Sequence, residues 1–271
     1  MYSLMFENLT DAQLLVVFPV ASCVALLLVT LALRAANHKF ACFDYDSDIV
    51  DTATQNTMSG AYVVLGFVLA LVMTTASGID DKVSQEAQAI KSLNRLLILD
   101  GSPPALKARH ALIAYTDSIL REEWPILRQG HGSDQTSAAL TEVFRNIDDT
   151  DPQTPKANTV FSRILNAADH VAQARNDRIM SISSSLPGLF YTVSFLSILG
   201  VIIICGLRLM EANVLRVISV TVQLVMLTLM LGAIAIVDLP YLGDTSTSAD
   251  SLAAVYESLL AQAPILHPAR P

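Results

Sequence analysis

The chain has 271 residues, of which 52% are hydrophobic and only 15% are charged, and its formal net charge is −8. Soluble domains carry about 25% charged residues, so this composition argues against a soluble enzyme. The negative charge and the absence of a basic block argue against nucleic acid as a partner. The three cysteines, at positions 23, 42 and 205, are too few and too scattered for a disulfide framework or a zinc site.

The apolar excess lies in four blocks that contain no charged residue. A helix that crosses a bilayer core of about 30 Å needs about 20 apolar residues. The blocks cover residues 12–33, 60–77, 189–207 and 217–237. We therefore predict an all-α integral membrane protein with four transmembrane helices, in contact with the lipid bilayer.

The long segment between the second and third blocks is polar and predicted to be helical. Apolar residues recur at helical spacing in four stretches of this insert, which cover residues 83–97, 106–127, 134–147 and 160–182. We expect a helical bundle that is continuous with the membrane helices. The predicted organisation is two transmembrane helices (1–77), the extramembrane insert (78–187), two further transmembrane helices (188–240) and a short C-terminal tail (241–271).

A bend is expected where the insert enters the third transmembrane helix. Pro187 has no N–H to donate, and its ring clashes with the carbonyl of Ser183 in a regular helix. Gly188 adds conformational freedom at the same point. Unbroken helical hydrogen bonding through this region would contradict the bend.

No familiar catalytic or metal-binding motif is present. The sequence lacks HExxH, GxSxG and a phosphate-binding glycine loop, and its five histidines show no ligand spacing. The neighbouring carboxylates of Glu122 and Glu123 point about 100° apart on a helix, so they cannot easily share one substrate atom. We expect Glu122 to pair with Arg121 or with groups across the bundle, and Trp124 to be a core anchor. We therefore predict that the protein is not an enzyme and has no catalytic residue, cofactor or metal.

An acidic cluster precedes the second transmembrane block. It consists of Asp44, Asp46, Asp48 and Asp51. Its spacing is similar to the start of a calcium loop, but position six is Ile49 rather than Gly and position twelve is Gln55 rather than Glu. Two interpretations remain open, namely a solvated stretch that caps a helix and an acidic vestibule that concentrates cations.

Small and polar side chains share one face of the second transmembrane helix. They are Ser59, Val63, Gly66, Ala70, Thr74 and Ser77. Larger side chains occupy the other face, namely Tyr62, Leu65, Leu69 and Val72. The small face is suited to close packing of another helix, and it is equally suited to lining a narrow pore in an oligomer. Gln223, near mid-depth in the fourth block, either bonds to a neighbouring helix or marks a conduction path.

Several short motifs in this order resemble the bestrophin-like family of bacterial four-span membrane proteins. The matching segments are Glu86-Ala87-Gln88-Ala89-Ile90, Glu122-Glu123-Trp124-Pro125-Ile126-Leu127, Asp177-Arg178 with Leu186-Pro187, and Asp238-Leu239-Pro240-Tyr241-Leu242-Gly243. The last motif usually reads D-R-P-F-x-G, so Leu239 and Tyr241 here replace Arg and Phe and a cation is lost. The resemblance covers about residues 45–260.

The family name implies a relation to bestrophins, which are oligomeric anion channels with a long insert between spans two and three. The layout here is similar, and Val64-Leu65-Gly66-Phe67 resembles part of a bestrophin pore helix. The resemblance implies a homo-oligomer in the bacterial inner membrane that conducts small ions. The alternative is a membrane scaffold or sensor whose helical insert binds a partner, without conduction.

The distribution of basic residues predicts the orientation in the membrane. Four spans place both termini and the insert on one side, and Arg34, Lys39, Arg208 and Arg216 flank the short loops on the other. The positive-inside rule assigns the short loops to the cytoplasm and therefore the insert to the periplasm, opposite to bestrophins. A reporter that fluoresces only in the cytoplasm, fused after Pro271, should stay dark; a bright fusion would reverse this assignment.

Overall fold

The computed structural model describes residues 11–40, 47–127, 131–181, 187–211, 213–238 and 247–262. These residues are helical almost throughout and contain no strand. The chain divides into two compact units. The membrane unit comprises residues 1–76 and 185–246, and the insert unit comprises residues 77–184 and 247–271.

Within the described residues, four helices are long and apolar enough to cross a membrane. They are α1 (Asp11–Phe40), α2 (Ser47–Asp100), α7 (Gly188–Arg208) and α8 (Val214–Val237). Each contains one of the predicted blocks and extends beyond it. The all-α fold with four transmembrane helices is therefore confirmed.

The helix α2 is unusually long, with 54 residues. It joins the predicted second span to the first predicted helix of the insert because no proline interrupts residues 60–100. The glycines of α2, Gly60, Gly66 and Gly78, are each tolerated within a helix at a cost of about 1 kcal/mol. The expected continuity between a membrane helix and the insert is therefore found here.

One apolar cluster holds the membrane unit together. It combines buried side chains from all four spans, including Leu26 of α1, Leu65 of α2, Val201 of α7 and Leu224 of α8. The link between α7 and α8 is a 3₁₀ turn, Leu209–Glu211, after which the Asn213 side chain accepts a hydrogen bond from the Arg216 N–H at 2.9 Å. This cap satisfies one of the free N–H groups at the start of α8.

The insert unit is a helical bundle. Besides residues 77–100 of α2, it contains α3 (Pro103–Ser118), a π-helical segment (Ile119–Glu123), α4 (Trp124–Ile126), α5 (Asp134–Asp148), α6 (Pro155–Ser181) and α9 (Asp250–Ala261). The side chains of Ser102 and Ser133 cap α3 and α5 by accepting from backbone N–H groups, each at 3.3 Å. The core is apolar and includes Ile90, Leu112, Val143 and Val171.

The predicted C-terminal tail contains a helix that the sequence analysis did not expect. Leu252, Val255 and Leu259 of α9 lie on one face and are buried in the same apolar cluster as the insert helices. A helix of 12 residues is marginal on its own, and packing of its apolar face stabilises it. Three apolar residues are too short a pattern to predict a helix from sequence, because the insert helices that they pack against lie far away in the chain.

The backbone at Pro187 interrupts the helical path toward α7. Helix α6 ends at Ser181, and Pro187, with φ −51° and ψ 136°, precedes α7 outside the helical region. Residues 182–186, which include Ser183, lie outside the described residues. The interruption at Pro187 agrees with the expectation that this proline does not continue a straight helix.

Two glycines of α7 provide a matched test of packing in the membrane unit. A Cβ on Gly206 would lie 2.9 Å from Cγ1 of Val29 and 3.2 Å from Cδ1 of Leu33, whereas a Cβ on Gly200 would meet nothing within 4 Å. Gly200→Ala should stabilise the helix by about 0.5–1 kcal/mol because glycine loses more entropy on folding. Gly206→Ala should lower stability relative to Gly200→Ala, since overpacking costs about 1–3 kcal/mol.

Thermal unfolding of the two purified variants in detergent checks this expectation. Equal unfolding temperatures for Gly206→Ala and Gly200→Ala would show that α1 and α7 do not pack closely at Gly206.

Candidate functional site

The small face of α2 is largely exposed on this chain. Val63 is 72% exposed, and Ser59, Ala70 and Thr74 are also exposed. Gly66 is half-buried, and a Cβ placed there would lie 3.9 Å from the Met230 methyl group. Ser77, the last member of the predicted face, is exposed and belongs to the insert unit.

The opposite face of α2 packs inside the membrane unit. Leu65 and Val72 are buried, while Tyr62 and Leu69 are partly buried against the same core. The Tyr62 hydroxyl donates to the backbone carbonyl of Gln223 at 2.9 Å, so the two helices α2 and α8 are joined at this depth. The Gln223 residue itself is half-buried. Spans of this chain therefore cover the large face and leave the small face open.

The small face presents uncharged groups only. The Thr74 hydroxyl donates to the Ala70 carbonyl at 2.9 Å, so its proton is used within the helix and its oxygen lone pairs remain available as acceptors. Small side chains allow close approach of another helix or leave width beside the backbone. The role of this face as a packing surface or a pore lining stays a prediction.

The acidic cluster is partly paired with arginines. Asp51 forms ion pairs with Arg208 at 2.9 Å and with Arg216 at 3.5 Å. Asp48 is exposed, and Asp44 and Asp46 lie outside the described residues. An Asp51 carboxylate shared between two guanidinium groups contributes little negative potential to a vestibule, so any such role rests on the remaining members.

A third basic residue lies at this end of the membrane unit. Arg34, near the end of α1, donates from Nη2 to the backbone carbonyl of Leu209 at 2.7 Å. It thereby satisfies the free carbonyl of the C-cap residue of α7 and places a positive charge at the negative end of the helix dipole. Arg34, Arg208 and Arg216, three of the basic residues that predicted the short-loop side, are thus also a helix cap and ion-pair partners.

The insert unit contains a buried network of two glutamates and two arginines. Its members are Glu86 of α2, Glu123 of the π-helical segment, and Arg175 and Arg178 of α6. Glu86, Glu123 and Arg178 are completely buried, and Arg175 is 9% exposed. The formal charges of the four side chains sum to zero, as burial of charge requires.

Short hydrogen bonds join the members of the network, while Nη1 of Arg178 has no hydrogen-bond partner among the described residues. Arg178 forms an ion pair with Glu86, and its Nη2 donates to Oε1 of Glu123 at 2.5 Å. Arg175 pairs with the same Glu123 carboxylate and donates to the Ser133 carbonyl at 3.2 Å. The Tyr115 hydroxyl donates to Oε1 of Glu86 at 2.8 Å.

The electrostatics follow from these contacts. Burial alone would raise the pKa of the Glu123 carboxyl, but hydrogen bonds and charges from Arg175 and Arg178 outweigh burial and lower its pKa. Burial alone would lower the pKa of the Arg178 guanidinium, but the charges and hydrogen bonds of Glu86 and Glu123 outweigh burial and raise its pKa. The pKa of Tyr115 is well above its ordinary value because the phenol is buried and hydrogen-bonded to Glu86. Glu123 and Arg178 are therefore both charged at neutral pH.

The π-helical segment is explained by Pro125. In an α-helix the proline ring would clash with the carbonyl of Arg121, four residues earlier. The Trp124 N–H instead bonds to the Ile119 carbonyl, which widens the turn. In this turn Glu123 is buried while Glu122 is exposed.

Sequence reasoning did not find this network. It considered Glu122 as a partner across the bundle, but the buried carboxylate is that of Glu123. Trp124 is partly buried, and the Arg178 guanidinium lies 5.7 Å from the centre of its ring. The sequence did contain an indication of this network, because Glu86, Glu123 and Arg178 each belong to a different one of the family motifs. The structure brings these three motifs together.

The fourth motif begins at the end of α8. Asp238 is buried and accepts a hydrogen bond from the Tyr191 hydroxyl of α7, while residues 239–243 lie outside the described part of the chain. Comparison with known families finds a match whose range contains all four motifs. A family model described as Bestrophin-like domain matches residues 15–252.

The chain belongs to the bestrophin-like family. The match extends from α1 to the first turn of α9, so the family pattern includes both the four spans and the insert. No curated protein and no solved structure matches the chain. With its four spans and its family, the chain is a multi-pass membrane protein of bestrophin-like type.

Adjacent glutamates provide a matched test of the buried network. Glu123→Ala leaves Arg175 and part of Arg178 without a counter-charge and should destabilise the protein by about 3–5 kcal/mol. Glu122→Ala, on the exposed neighbour, should change stability by less than about 0.5 kcal/mol. Denaturant unfolding of the purified full chain, followed by circular dichroism, measures both.

The effect of Glu123 should also depend on pH. Its pKa is lower in the folded state, so its stabilisation is present above the unfolded carboxyl value of about 4.3 and is lost as the pH falls through the folded value. The difference between wild type and Glu123→Gln should therefore shrink in acid. A difference that is constant from neutral pH into acid would contradict the ion-pair explanation.

Proposed function

We propose that this bestrophin-like protein is a homo-oligomeric ion channel of the bacterial inner membrane, with the small face of α2 around the oligomer axis. The observation that carries the proposal is the exposure of that face. Ser59, Val63, Ala70 and Thr74 are open on the single chain, whereas Leu65 on the opposite face is fully buried. Membership of the family supports the same function.

The chemistry of the face suits conduction. Ions that keep part of their hydration shell need width, and small side chains provide it. The Thr74 oxygen retains free lone pairs, which replace some of the water contacts that an ion loses. The residues of this face between positions 59 and 74 are uncharged, so no fixed charge would hold a permeating ion too tightly.

An oligomer also fits the distribution of apolar surface. Large side chains of the spans remain exposed on the chain, among them Leu28 of α1 and Phe195 of α7, each more than 60% exposed. Lipid and neighbouring subunits cover such groups in a membrane. A closed ring of identical subunits would place the same face of α2 on the axis in every copy.

A scaffold or sensor without conduction is the alternative. In that case the small face would be filled by α1 or α8 of the same chain. On this face Ser59, Val63, Ala70 and Thr74 are exposed, and a Cβ at Gly66 would meet only the Met230 methyl group within 4 Å, so the exposure of the face favours the channel. We further propose that the protein has no enzymatic activity, because the buried carboxylates of Glu86 and Glu123 are held by arginines and are closed to solvent.

Cysteine accessibility separates the two proposals. Ala70→Cys, in a chain whose Cys23, Cys42 and Cys205 are replaced by serine, should react with a water-soluble thiol reagent in liposomes. The reaction should block most of the ion flux because the added group occupies the axis. Val68→Cys is the matched control, since Val68 lies on the buried side of the same helix and is 2% exposed.

Flux measured before and after labelling gives the result. Absence of flux together with no labelling at residue 70 would remove the channel proposal in favour of the scaffold. Equal block at residues 68 and 70 would show that the small face does not line the path.

A further inference from the structure

The C-terminal helix α9 is held on the insert by a buried cation, Arg109, that has no anionic partner in the part of the chain that the structure describes. Arg109 of α3 is 1% exposed, and among the described residues no carboxylate lies within ion-pair distance of it. Its Nη2 donates to the backbone carbonyl of Leu259 at 2.9 Å, and its Nε donates to Oδ1 of Asn94 at 2.9 Å.

The Leu259 carbonyl is in the last turn of α9. Carbonyls there have no partner within the helix, and the dipole makes this end negative. Arg109 therefore uses the end of α9 in place of a counter-ion. Asn94 extends the contact, because its Nδ2 donates to Oε1 of Gln262 at 2.9 Å.

Along the rest of the helix the attachment is limited to one face. Leu252, Val255 and Leu259 are buried, whereas Ser251, Ala254, Glu257 and Leu260 are exposed. Besides the contacts at its C-terminal end, the Tyr256 hydroxyl donates to the Asp117 carboxylate, and the Ser248 hydroxyl accepts from the Asp250 N–H at 3.2 Å. A short helix with one buried face and few polar contacts has the features of an element of low local stability.

We propose that α9 is a strap that docks on and releases from the insert as one unit, and that Arg109 is the positioning residue that keeps it docked. Release separates the guanidinium from the Leu259 carbonyl and exposes the apolar surface that α9 covers. Docking restores both contacts in one step. The strap thus has two defined states, and the described contacts are those of the docked state.

Hydrogen exchange of the full chain in detergent, read by mass spectrometry, tests this proposal. In the wild type, amides of α9 should exchange together and about tenfold or more faster than the core amides of α5. Arg109→Met keeps the apolar stem but removes the charged hydrogen bonds, so it should speed exchange of α9 by about tenfold again, with α5 unchanged. Arg109→Lys should restore part of the protection, since an ammonium group donates to the same carbonyl.

Two further variants keep the test decisive. Arg145→Met removes an exposed arginine whose ion pair, among the described residues, is with Glu142 on its own helix, and it should leave α9 exchange unchanged. Gln262→Ala removes one contact at the end of the strap and should speed α9 exchange by about threefold, even if Arg109→Met does not fold. Exchange of α9 and α5 at equal rates in every variant would overturn the proposal, as would equal rates in Arg109→Met and Arg109→Lys.

Discussion

A fully buried guanidinium needs acceptors that compensate its charge, and the arrangement of the insert follows from meeting that requirement for Arg178 with two carboxylates. Glu86 and Glu123 supply the charges from α2 and from the π-helical segment, and Arg175 then balances the second carboxylate. Apolar replacements of such clusters are often neutral or stabilising, so the network is better understood as a means of specifying which helices pair. An alternative pairing of helices would leave at least one of these charges buried alone.

The membrane unit meets a different constraint, because lipid provides no driving force for apolar helices to associate. Its helices are joined by shape and by a few polar contacts. Gly206 admits Val29 and Leu33, the Tyr62 hydroxyl reaches the Gln223 carbonyl, and Arg34 reaches the Leu209 carbonyl. The Tyr62 contact uses the large face of α2, and the small face stays exposed on this chain. In the proposed function that small face lines the oligomer axis.

The sequence was sufficient for the spans because a block of about 20 uncharged residues has few structural alternatives. It was also sufficient for the continuity of α2, since nothing between Gly60 and Asp100 breaks a helix. It was insufficient for α9, whose three buried residues give too short a pattern to be recognised without the surface they cover. The pairing of Glu123 rather than Glu122 was equally inaccessible, because it depends on the widened turn before Pro125.

The turn after α2 has a consequence for how the insert keeps its contacts in register. Gly101, with φ +64°, ends the long helix, and α3 runs back from Pro103. Asn94 lies seven residues before Gly101 and Arg109 eight after it, while Glu86 lies fifteen before and Tyr115 fourteen after. Both hydrogen-bonded pairs are thus nearly equidistant from the bend, at about 11 Å and 22 Å along the helix axes. One residue inserted in either arm would shift every position beyond it by about 1.5 Å and rotate it by about 100°. An insertion next to the bend would therefore misalign both pairs, and an insertion between the two pairs would misalign the outer one alone.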